Sequence, residues 1–169
     1  PQPGLALLRL AEGKTDAAAA AIRRVVAETT DRLRRAKLLP AHVEIALAIP
    51  DVSAARDVAD ELTEIAGTYD TPALRATAGY ANGSVLLAEG DARRALGALR
   101  GAWDESRALQ APYEAARTRV LIGLGCRALG DEESAALELD TARRVFEELG
   151  AAPVGGQDRR VCCGERHDR

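Results

Sequence analysis

The chain of 169 residues has no methionine and very few aromatics: one Trp, one Phe and three Tyr, 3% in all. A core built on rings is therefore excluded, and the interior must be aliphatic. No apolar run approaches the roughly 18 residues that would suggest a membrane span, and no basic-then-apolar leader opens the chain. A basic excess is missing too: 23 Lys and Arg stand against 26 Asp and Glu, for a net charge of −3. Direct nucleic-acid binding by this segment is not expected, because neutralising several phosphates needs basic charge gathered on one face. Three cysteines, two of them adjacent at Cys162 and Cys163, make no disulfide framework, so the expected location is cytoplasmic. The missing Met together with the opening Pro1-Gln2-Pro3 predicts a piece of a longer protein.

Alanine makes up roughly a fifth of the chain, and Leu, Arg and Glu supply most of the rest, so intrinsic preference is helical nearly throughout. Similar breaks recur at Gly13, Pro50, Gly90 and Gly130, at steps of 37, 40 and 40 residues. Such a period suits helical-hairpin repeats. Gly tolerates the left-handed turn that ends a helix, and Asp51, Asp91 and Asp131 are the expected N-caps of the helices that follow. Pro72 and Pro112 sit at the first helical position, where a missing N–H costs nothing. Eight helices are predicted, over 4–11, 16–29, 32–48, 52–67, 72–88, 92–109, 112–129 and 132–149. Pro40 predicts a kink or break in the third, since an internal Pro costs about 3 kcal/mol. Residues 1–150 form the repeat domain, and residues 151–169, with Gly155-Gly156 and no helical stripe, read as a poorly structured tail.

Gly83, Leu86, Gly90, Ala95, Leu99 and Ala102 align, 40 residues on, with Gly123, Cys126, Gly130, Ala135, Leu139 and Ala142. This spacing resembles the tetratricopeptide pattern, with small residues where paired helices approach closely. The resemblance implies an all-α, right-handed array of about four antiparallel helical hairpins, with a groove lined by the first helix of each pair. A narrower likeness runs from Ala115 to Gly123, through Ala128-Leu129-Gly130-Asp131, to Phe146-Glu147-Glu148-Leu149-Gly150-Ala151. It is similar to the helical-repeat region of large actinobacterial LuxR-type transcriptional regulators, although the helix-turn-helix itself is absent. That resemblance implies a sensory or interaction scaffold whose partner is a protein, a peptide or a neighbouring domain. A free-standing adaptor that holds a peptide is the alternative.

No constellation points to an enzyme or to a cofactor. Gly13-Lys14-Thr15 lacks the preceding Gly of a phosphate loop, because Leu8 stands there. Cys162, Cys163 and His167 do not supply the four well-spaced ligands of a structural zinc site. Cys126 takes a repeat position filled by Leu86, which reads as a buried hydrophobe, and His42 has no partner that would make it a base. The arginine pairs at 23–24, 34–35, 93–94 and 143–144 read as solvated faces. The remaining candidate is the groove. The tetratricopeptide register assigns Glu44, Leu47, Tyr80, Ser84, Leu87, Arg117, Val120, Leu124 and Arg127 to its lining. Arg117 and Arg127 would grip an acidic group there, and Tyr80 would anchor an apolar one.

Overall fold

The computed structural model describes residues 3–151. Every regular element among them is an α-helix: α1 (Pro3–Ala11), α2 (Thr15–Glu28), α3 (Arg32–Ala48), α4 (Val52–Tyr69), α5 (Pro72–Ala88), α6 (Ala92–Ala108), α7 (Pro112–Ala128) and α8 (Glu132–Glu148). Each helix packs on its neighbours in sequence, and α1 on α3, α3 on α5 and α5 on α7 touch as well. Apart from Ala151, the tail predicted over 151–169, with Cys162, Cys163 and His167, lies outside the described residues.

Local chemistry sets the boundaries. The Asp51, Asp91 and Asp131 carboxylates accept the backbone N–H of Ala54, Arg94 and Ser134, as their spacing predicts, and Asp31 and Thr71 cap α3 and α5 in the same way. Gly90 and Gly130 end their helices at φ of 85° and 81°. That conformation lets the Asp91 N–H reach back to the Leu86 carbonyl, and the Asp131 N–H to that of Cys126. Gln110, at φ of 54°, makes the corresponding turn after α6 without glycine.

Of the kink or break expected at Pro40, the break does not occur: α3 runs through it as a single element. Pro40 removes one N–H from the ladder, but Leu38, Leu39, Ala41 and Val43 are all buried around it. Burying a large aliphatic side chain is worth roughly 1.5–3 kcal/mol, so Leu38, Leu39 and Val43 together outweigh the proline.

The interior is aliphatic, as the composition requires. One cluster runs from Ala6 in α1 to Val85 in α5, a second joins Leu86, Leu99, Leu121 and Ala135, and a third links Ala116 and Val120 of α7 to Ala142 and Phe146 of α8. Glycine allows the closest helix approaches. A Cβ on Gly83 would lie 2.5 Å from Leu99 Cγ, and one on Gly123 would lie 2.8 Å from Leu139 Cγ.

Candidate functional site

Helices α3, α5 and α7 share one face, and three of the residues assigned to a groove meet on it. Arg117 of α7 reaches past α5 to form an ion pair with Glu44 of α3, 73 positions earlier in the chain. The same guanidinium donates to the Tyr80 hydroxyl at 3.0 Å, and its carbon lies 4.8 Å from the centroid of the Tyr80 ring. The pair is largely withdrawn from water, with side-chain exposures of 14% for Arg117 and 21% for Glu44. Burial works against the charge on Arg117, but Tyr80 and Glu44 outweigh it, so its pKa rises and the group stays cationic. The Arg117 Nε is buried and makes no hydrogen bond among the described residues.

The other assigned residues divide into four groups. Leu47, Leu87 and Leu124 are half-buried, one each on α3, α5 and α7, and each packs on a core cluster with an edge still exposed. Arg127 is open to solvent and pairs with Glu132 at 3.3 Å. Ser84 is buried and spends its hydroxyl on the Tyr80 carbonyl, at 2.8 Å. Val120 is a correction: it has no exposed surface and packs with Phe146 between α7 and α8, so it cannot line an open groove. The broad apolar stripe of α7 serves two neighbours, and the linear register did not separate its α8 side from its open side.

Among the described residues, no group of three or more His, Cys, Asp or Glu is placed to hold a metal. Cys126 is buried, and its thiol pKa is pushed up by burial first and then by Asp131 and Glu138. No helix among the described residues is long and apolar enough to cross a membrane. The chain matches no protein-family model, and no curated protein gives a significant match.

Two further polar arrangements went unseen in the sequence. Arg35, read as ordinary surface, is mostly buried: it holds both Glu61 oxygens, the second at 2.8 Å, and donates to the Val26 and Thr29 carbonyls at 2.6 and 2.9 Å. It thereby joins α4 to the open carbonyl end of α2. Its adjacent partner Arg34 is exposed, and only helical phase, read against both neighbouring helices, separates the two. Trp103 of α6 lies 4.7 Å from the guanidinium carbons of both Arg107 and Arg119, and Arg119 also binds Glu138 of α8 at 2.8 Å. A lone Trp between cationic residues was the available signal.

Proposed function

We propose that the chain is a non-catalytic interaction or sensory scaffold. In this reading the hairpins α1–α2, α3–α4, α5–α6 and α7–α8 are tetratricopeptide-like units of a right-handed array, and the face shared by α3, α5 and α7 is its binding groove. The observation that carries the reading is the meeting of Glu44, Tyr80 and Arg117 from three separate hairpins, beside a ledge of half-buried Leu47, Leu87 and Leu124. Stacked hairpins create such composite surfaces because each unit contributes its first helix to the same side. The ledge supplies apolar contact and the exposed Arg127 supplies charge, which suits a peptide or a neighbouring domain carrying apolar and acidic side chains.

The biological setting we propose is a bacterial transcriptional regulator of the LuxR type, supported by the likeness of residues 115–151 to the repeat region of those proteins. The genomic reading frame around the coding sequence tests it. A helix-turn-helix or ATPase module coded in the same frame is the expected result, whereas a start codon directly before Pro1 and a stop directly after Arg169 would replace the regulator with a free-standing adaptor.

A further inference from the structure

Two arginine–glutamate pairs of this protein show how a guanidinium is fully used. Arg35 meets Glu61 through both Nε and Nη2, and Arg56 meets Glu89 through the same edge at 2.9 and 2.6 Å. That edge matches the two oxygens of a carboxylate, which adds direction to the strength of the pair. Arg117 instead offers Glu44 one nitrogen, Nη2, and the same Nη2 also donates to the Tyr80 hydroxyl at 3.0 Å. Its Nε is buried without a hydrogen bond among the described residues, and its Nη1 comes only within 3.8 Å of Glu114. A buried donor without an acceptor costs stability, so Glu44 is an incomplete partner for this guanidinium.

The tether explains the poor fit. Glu44 reaches across α5 from α3, while the Tyr80 ring, 4.8 Å from the guanidinium carbon, covers one face of the group. A carboxylate on a bound segment carries no such tether. The three side chains lie on the face assigned to the groove, beside Leu47, Leu87 and Leu124, where apolar contact would deliver such a group. Glu44 is half-buried and has water on one side into which it can leave.

We propose that Glu44 is a built-in competitor at the anion site of Arg117. An acidic side chain of the segment in the groove takes Arg117 by its Nε and Nη2 edge, Glu44 is released to water, and α3 loses its tie to α7. One carboxylate replaces another, so the guanidinium never lacks a counter-ion. By linkage, the factor by which Glu44 weakens the incoming anion is the factor by which the anion weakens the tie. Occupancy of the groove is thereby converted into a change in how the second and fourth hairpins are held. The inference rests on the groove reading given above.

The test is an acetate titration of the full chain at neutral pH, read on the Arg117 Nε–H signal by proton–nitrogen NMR, with the signal identified by its loss in Arg117→Lys. Glu44→Gln should reach half-saturation at an acetate concentration about tenfold lower than the original chain requires. Glu44→Asp, which keeps the charge on a shorter side chain, should fall between the two, and it decides the question alone if Glu44→Gln does not fold. Chloride at matched ionic strength should leave the signal in place. Equal half-saturation in all three chains overturns the proposal, as does a signal that acetate fails to move in either variant or that chloride moves equally. Crosslinking of a partner from Leu87 reads the groove separately. If it persists while acetate binds all three chains alike, only the competitor role of Glu44 fails; if it is lost while Glu44→Gln still binds acetate more tightly, the anion site stands and the groove reading fails.

Discussion

Glycine 83 separates two uses of the same residue. Its missing Cβ would meet Leu99, which has no exposed surface and no room to swing away. Gly83→Val should therefore destabilise the protein by about 2 kcal/mol through overpacking. Gly97 and Gly101, on the open side of α6, have nothing within 4 Å of an added Cβ. Replacing either by Ala should stabilise by about 0.5–1 kcal/mol, because helix propensity is then the only effect left. Urea unfolding of the three variants checks both signs. His42 makes a second residue-scale prediction. Burial lowers its pKa below the usual 6.5, Arg23 and Arg35 lower it further, and Glu61 opposes them. Its Nδ1 is buried without a hydrogen-bond partner among the described residues. Between the lowered folded value and about 6.5 the unfolded chain binds more protons, so stability rises with pH through that window and is lost as pH falls below about 6.5. His42→Gln should flatten this part of the pH profile measured by chemical denaturation, and an unaltered slope would place the titration elsewhere.

At the scale of the helix, turn chemistry sets where each element ends. Gly130 adopts φ of 81°, which a β-branched residue resists, so Gly130→Val should lower the stability of the α7–α8 pair by about 1–2 kcal/mol. An unchanged Tm would contradict the turn. Caps and breaks were legible in the sequence because Asp51, Asp91, Asp131, Gly90, Gly130, Pro72 and Pro112 act within a single helical turn or its adjoining loop. Pro40 does not break its helix for the opposite reason: its penalty is local, but the burial of Leu39 and Val43 that outweighs it comes from neighbouring helices. The same division holds at the candidate site. Glu44, Tyr80 and Arg117 could each be placed on a first helix by register, but their meeting depends on how three helices stack. Val120 was misassigned because a stripe shared by two neighbours looks continuous in one dimension.

Among the described residues, contacts between sequential helices dominate, and the Glu44–Arg117 pair links helices that are four apart in the chain. It fixes α7 against α3 across α5. Glu44→Gln removes the anion and leaves Arg117 charged and mostly buried, at a cost of about 2 kcal/mol. The double variant Glu44→Gln with Arg117→Met should recover part of that loss, since no uncompensated buried charge remains. Additive losses in a double-mutant cycle would show that the pair is not a unit. A tie of this kind fixes the relative placement of the three helices that would form the proposed groove.

The most direct measurement of that groove is site-specific photocrosslinking in the intact protein within cells, comparing a benzoylphenylalanine at Leu87 or Leu124 with one at the exposed Asp104 of α6. The account predicts the same discrete crosslinked product from both groove positions, with none from position 104 and less from either when Arg127 is reversed to Glu. A product from position 104 alone, or equal labelling at all three positions, would contradict the claim that the α3, α5 and α7 face is the working surface.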